Sequence, residues 1–356
     1  MSSKYRFIPD INTGYLTDED TKKYISRLAF SMFTLEIASF AFSMLVASLV
    51  GAIINMFAPS LMESADFVAI ANNTISIVAI YCVGMPLLCL VSSPLPRVKP
   101  YKEKLGFGKW IGGLCVCIFA MSFGSSASNV VIMLIESLSG SVMTNPVEEM
   151  VGQSSIWIDV VFVAIIVPVL EELLFRKILC DRLLPLGEGY AVFLSATIFG
   201  LSHGNFFQFF YAFAVGVVFG LIYVKTGRII YTILYHIFIN FTSVVIATLV
   251  TKGIDFEVLN NLLYDIESGT ATEEQMMIFV DQLTPLLIYE TVLGIMSLVG
   301  IVLLVLAVRK NEIRFEAGIL PPPKKRRIMN ILCTVGSATL ITAYTFFFVL
   351  SMLPQN

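Results

Sequence analysis

Residues 156–176 read Ile-Trp-Ile-Asp-Val-Val-Phe-Val-Ala-Ile-Ile-Val-Pro-Val-Leu-Glu-Glu-Leu-Leu-Phe-Arg. The run is apolar from Ile156 to Leu170, apart from Asp159 and Pro168, and then meets two adjacent carboxylates and an arginine. About 20 apolar residues in a helix cross the hydrocarbon core of a bilayer. Ionisable groups at that depth are costly, and they face a partner or a cavity rather than lipid. The stretch therefore reads as a spanning helix that carries a site at its far end.

The rest of the chain agrees. Of 356 residues, 57% are hydrophobic and only 14% charged, against about 25% charged in a soluble domain. The apolar runs are continuous rather than alternating, which excludes a transmembrane β-barrel. The expected fold is all-α, a polytopic membrane helix bundle. The net charge of −3 carries little information, and nucleic acid is not an expected partner. The six cysteines form no C-x-x-C pair and read as small buried apolar residues. Residues 1–27 are polar, with Lys4, Arg6, Lys22, Lys23 and Arg27 and no short apolar segment before the first span. That span is expected to be an uncleaved anchor.

Nine spans are predicted, at about 28–54, 68–93, 110–136, 155–180, 188–204, 206–224, 229–250, 285–308 and 329–352. Lys and Arg concentrate in alternate loops. They fill residues 1–27 and the 94–109 loop, follow the fourth and sixth spans (Arg176, Lys177, Arg182; Lys225, Arg228), and fill the 309–328 loop. The other loops carry none except Lys252. The positive-inside rule then places the N-terminus in the cytoplasm and the C-terminus outside. The expected location is a bacterial cell membrane, with lipids as surroundings.

The organisation follows from the spans: a cytoplasmic segment 1–27, helices at 28–154, a core at 155–250, an acidic external loop at 251–284, and two helices in 285–356. In the acidic loop, Thr272 to Gln275 fits a capping box ahead of Met276–Leu283, and 256–266 is amphipathic. The loop reads as a solvated connector, with a lid over a site as the alternative. Pro321-Pro322-Pro323-Lys324-Lys325-Arg326-Arg327 reads as a stiff, basic, lipid-facing linker.

The chain has two histidines, His203 and His236, and both lie in apolar runs. Counting 1.5 Å per residue from the cytoplasmic ends puts Glu171, His203, His236 and Asn240 roughly 16, 24, 12 and 18 Å deep, so they can share one cavity. Residues four apart share a helix face. That pairs Glu172 with Arg176, Phe199 with His203, and His236 with Asn240. Glu171 and Glu172 point about 100° apart, so Glu172 is expected to pair with Arg176 as structural support and Glu171 to face the cavity. A desolvated carboxylate suits proton transfer near neutral pH, so Glu171 is the expected general base. His203 is expected to orient the water, share its proton or ligate a metal. His236 and Asn240 are donors placed to stabilise an oxyanion, and Phe199 reads as a cavity wall. Glu36, Asn72, Asn73, Asn129, Asp159 and Glu290 read as interhelical hydrogen-bonding residues. Ser202 lacks a G-x-S-x-G elbow, and no H-E-x-x-H motif is present.

Glu171-Glu172-x-x-x-Arg176, Phe199-x-x-x-His203 and His236-x-x-x-Asn240, in that order, resemble the CAAX protease and bacteriocin-processing (CPBP) family of intramembrane proteases, to which the Ras-converting CAAX prenyl endopeptidases belong. The resemblance covers about residues 155–250. It implies a peptide-bond hydrolase in which Glu171 and His203 activate water while His236 and Asn240 hold the oxyanion. It implies a peptide or protein substrate within the bilayer, which eukaryotic relatives meet as prenylated proteins. Bacterial relatives are tied to bacteriocin processing and to membrane sensors. The family has been described both as metalloproteases and as metal-free enzymes. Glu171, His203 and His236 could hold a divalent metal such as zinc with an open position. Two other readings stay open on the residues alone: a non-catalytic scaffold or regulator for a sensor kinase or transporter, and a proton-coupled transporter.

Overall fold

The structure, a computed structural model, describes residues 12–145 and 155–352. Lys4, Arg6 and residues 146–154 of the external loop, which entered the charge pattern, lie outside them. The described residues contain no strand, only an isolated bridge between Gly187 and Ala317. The chain is an all-helical, integral multi-pass membrane protein.

Each predicted span falls on helix. α1 (Asp18–Phe57) begins at Thr17, whose side chain accepts from Asp20 N. α2 (Ala65–Val91) and α3 (Phe107–Ser139) follow. α4 covers 156–183 as one helix in which α turns alternate with π turns over Asp159–Ile166 and Leu173–Cys180. α5 (Glu188–Leu201), α6 (Phe206–Thr226) and α7 (Ile229–Thr251) complete the core. Six helices among the described residues are long and apolar enough to cross a membrane: α1, α2, α3, α6, α7 and a later one, Glu273–Arg309.

The acidic segment holds α8 (Phe256–Glu267), capped by Asp255. The capping box at Thr272 and Gln275 forms, with each side chain bonded to the other's backbone N–H. It starts a helix much longer than the span expected there, α9 (Glu273–Arg309), with Pro285 inside it. The last predicted span is split at Cys333 and Thr334 into α10 (Arg327–Leu332) and α11 (Val335–Ser351).

The largest departure from expectation is at α5. It has 14 residues, about 21 Å of rise, and is too short to cross alone. It ends at Leu201, so His203 stands on the turn into α6 rather than on a spanning helix. Gly204 takes φ +66 there, a backbone region open to glycine at no steric cost. Asn205 then caps α6 by accepting from Gln208 N. Irregular backbone at membrane depth is tolerated where it lines a cavity inside the protein, and this turn does.

α6 is the hub, packed between α3 and α5, with α9 on the far side of α3. The helices approach through small residues, as packing in lipid favours. A Cβ on Gly124 of α3 would collide with the Tyr211 backbone of α6, and one on Gly216 would press on Ala196 of α5. At the end of the bundle marked by Gly187, the connecting segments lie across the core turns. Val98 N bonds Asp181 O at 2.8 Å, Glu103 N bonds Thr226 O at 2.8 Å, and Leu320 N bonds Pro185 O at 2.7 Å. Gly187, at φ +133, makes its bridge with Ala317 in a conformation that other residues rarely adopt.

Candidate active site

α4 presents its two glutamates to different surroundings. Glu172 is fully buried and holds Arg176, one turn on, by an Nε–Oε2 contact of 3.1 Å. The Arg176 Nη1 donates to Ser195 Oγ of α5 at 3.1 Å. Its Nη2 has no hydrogen-bond acceptor among the described residues. The guanidinium instead faces the Phe199 and Phe219 rings, at 5.6 and 5.9 Å from their centroids, where the ring quadrupoles attract a cation. A charge removed from water survives only with such partners. Arg176 thereby ties α4, α5 and α6 together behind the cavity.

Glu171 is 18% exposed and its carboxylate meets His236 Nε2 at 3.4 Å. The other face of the imidazole meets Glu172, with Nδ1 and Oε1 3.2 Å apart. A carboxylate can only accept, so Nδ1–H donates to Glu172 and Nε2 is left toward Glu171 and the cavity. Glu172 is therefore more than support for the helix. It orients His236 as the carboxylate of a Ser-His-Asp triad orients its histidine. Residue spacing did not predict this contact, because it joins α4 to α7 across 64 positions.

His203 Nδ1 donates to the Phe199 carbonyl at 2.8 Å, which leaves Nε2 as the free ring nitrogen. Phe199 packs edge-on between both histidines, 5.0 Å from His203 and 5.7 Å from His236, so it walls and spaces them. Asn240 Nδ2 donates to Val163 O on α4 at 3.0 Å. That carbonyl lies in a π stretch in which Val167 N reaches back five residues to Phe162 O. The next donor in that register would be residue 168, which is proline and has no N–H. Asn240 supplies the missing donor and keeps one amide hydrogen for the cavity.

Glu171, His203, His236, Asn240 and Phe199 all line one cavity of about 420 Å³, whose other walls are largely apolar. A second polar series enters it from α6. Asn205 Nδ2 donates to Gln208 Oε1 at 2.9 Å, and Gln208 Nε2 donates to Tyr211 Oη at 3.0 Å. Because Asn205 Oδ1 accepts from the Gln208 backbone, both amides have a fixed orientation. Tyr211 Oη is then an acceptor from Gln208, and its own hydrogen is free to turn into the cavity it lines. The sequence reading missed these residues. Asn205-x-x-Gln208, a helix-start pattern inside an apolar run, was the signal available.

Among the described residues no three His, Cys, Asp or Glu side chains form a group able to hold a metal ion. Both His236 nitrogens are turned to carboxylates. As arranged, Glu171, His203 and His236 do not make such a group.

Residues 153–242 match a family model described as Rce1-like, the type II CAAX prenyl endopeptidases. A 120-residue stretch is 32% identical to the membrane-embedded CAAX protease MroQ of Staphylococcus aureus, covering 31% of this chain and 49% of that protein. The chain thus spans about half the length of that curated relative. No solved structure matches. The stretch that brings the paired glutamates beside both histidines is accordingly the part of the chain that is similar to the CAAX prenyl endopeptidases.

Proposed function

We propose that the protein is an intramembrane endopeptidase that hydrolyses a peptide bond in a membrane-associated or lipidated protein or peptide. The observation that carries this reading is the single cavity shared by Glu171, His203, His236 and Asn240, with apolar walls suited to a segment arriving from lipid. Water held between the Glu171 carboxylate and His203 Nε2 loses a proton to Glu171 as its oxygen attacks the carbonyl carbon. The oxyanion that forms is met by His236, protonated at Nε2 and held by Glu172, and by the free amide hydrogen of Asn240. Collapse breaks the C–N bond, and Glu171 returns its proton to the departing amine. No step uses a metal. Metal content of the purified, detergent-solubilised protein tests this: one equivalent of zinc that Glu171→Gln removes would turn these side chains from proton transfer to ligation.

In this reading the N-terminus is cytoplasmic and the C-terminus outside, with α5–α6 forming a hairpin whose turn reaches the cavity. The substrate chemistry is that of the relatives, a CAAX-type or other lipid-anchored segment. Comparing membrane peptides from cells carrying wild type, Glu171→Gln or His203→Ala tests the activity. Fragments are expected with wild type only, and with Glu290→Gln as the control on the exposed face of α9. Normal turnover by His203→Ala would refute the assignment. Regulation of a sensor kinase or transporter that survives Glu171→Gln, with no fragments at all, would favour the scaffold. Loss of a solute flux would favour the transporter.

A further inference from the structure

A second pocket of about 470 Å³ lies at the Gly187 end of the bundle, away from the cavity just described. One wall is the first two turns of α5, with Tyr190, Phe193 and Leu194; the other is the segment 315–331. Phe193 and Phe315 pack edge-on at 5.7 Å, yet are 47% and 41% exposed, so each keeps an open apolar face. Phe193 lies about 8 Å along α5 from its first residue. At the rim stand Lys324 and Arg327, both exposed. Ile331, one helical turn beyond Arg327 on α10, continues the apolar wall below it.

Two details mark this as a site rather than a dent. Tyr190 Oη is buried without a hydrogen-bond partner among the described residues, although Arg327 is near enough to act on it electrostatically. A buried polar group without a partner calls for an occupant that supplies one. The charge is also lopsided. Glu316 is the acid of the lining. Against it stand Lys324 and Arg327 in the lining, with Lys325 and Arg326 between them in the chain.

We propose that this pocket binds an anionic glycerophospholipid. The phosphate sits between Lys324 and Arg327, an oxygen of the headgroup or ester accepts from Tyr190 Oη, and one acyl chain lies along Phe193, Leu194 and Ile331. A cation above an apolar slot at the bilayer surface matches the two halves of such a lipid. The site is independent of the proposed proteolysis. It rests on the turn that joins α4 to α5, where Leu320 N bonds Pro185 O.

The test is native mass spectrometry of the full chain in neutral detergent, titrated with phosphatidylglycerol or phosphatidylcholine of matched chains. Wild type is expected to retain phosphatidylglycerol preferentially. Lys324→Gln with Arg327→Gln should weaken that retention about ten- to thirty-fold, from roughly a factor of five per basic side chain at the membrane surface. Tyr190→Phe should weaken it about three- to ten-fold, the worth of one hydrogen bond. Lys102→Gln with Lys104→Gln, an exposed pair on another loop, should change nothing. Equal loss in that control pair would mean diffuse attraction and overturn the site. So would unchanged retention in the Lys324/Arg327 pair, equal retention of phosphatidylcholine, or full displacement by inorganic phosphate. All the substituted rim residues are exposed, and elution as a single monodisperse peak checks that the variants fold.

Discussion

Arg176→Met would separate what holds the site up from what makes it work. Wild type buries the Arg176 and Glu172 side chains completely, with Nε 3.1 Å from Oε2. Removing one partner of a desolvated pair leaves an uncompensated charge, at about 3–5 kcal/mol. The lost Ser195 bond and the two ring contacts add about 1–2 kcal/mol. For a chain of this size the sum lowers the apparent melting temperature by about 10 °C. Adding Glu172→Gln removes the orphaned charge, and the double variant should recover most of the loss, because replacing both partners of a buried pair is often neutral. Its catalysis should not recover, since the neutral amide of a glutamine cannot stabilise a protonated His236. The assay pairs thermal unfolding in detergent with peptide cleavage. If Arg176→Met costs less than about 1 kcal/mol, or if the double variant is as unstable as the single, the pair is not desolvated and the argument from burial fails.

Two further outcomes follow from the geometry. Tyr211→Phe keeps the ring but removes the hydroxyl that accepts from Gln208 and lines the cavity; turnover in steady-state kinetics should fall by up to about ten-fold, the worth of one hydrogen bond from that hydroxyl into the cavity. Gly124→Leu drives a side chain into the Tyr211 backbone, and should reduce folded yield on size-exclusion chromatography, whereas the same change at Gly51, where a Cβ meets nothing, should not.

The different facing of Glu171 and Glu172 was legible in the sequence because one residue of helix is about 100° of rotation. The Glu172–Arg176 pairing followed from the same geometry. The long apolar runs were equally plain, as was the capping box at Thr272. The end of α5 was read three residues late, at 204 rather than Leu201, which left His203 on the helix although Gly204 and Asn205 spell a stop and a start. The apolar residues on both sides let two helices look like neighbouring spans of ordinary length. The link from Glu172 to His236 was beyond any periodicity, because it depends on how α4 meets α7. Tyr211 was hidden in Phe206-Phe207-Gln208-Phe209-Phe210-Tyr211, where five aromatic rings suggest filler and the one amide sets the hydroxyl's direction.

The proline at 168 has an effect beyond its own helix. By withholding a main-chain donor it leaves Val163 O to be claimed by α7 through Asn240. The amide is thereby indexed to a point eight residues, about 12 Å, before Glu171 on one rigid rod. When a thinner or thicker bilayer makes outer helices lean, acid and amide travel together, and the spacing between them stays constant while the envelope around them adapts.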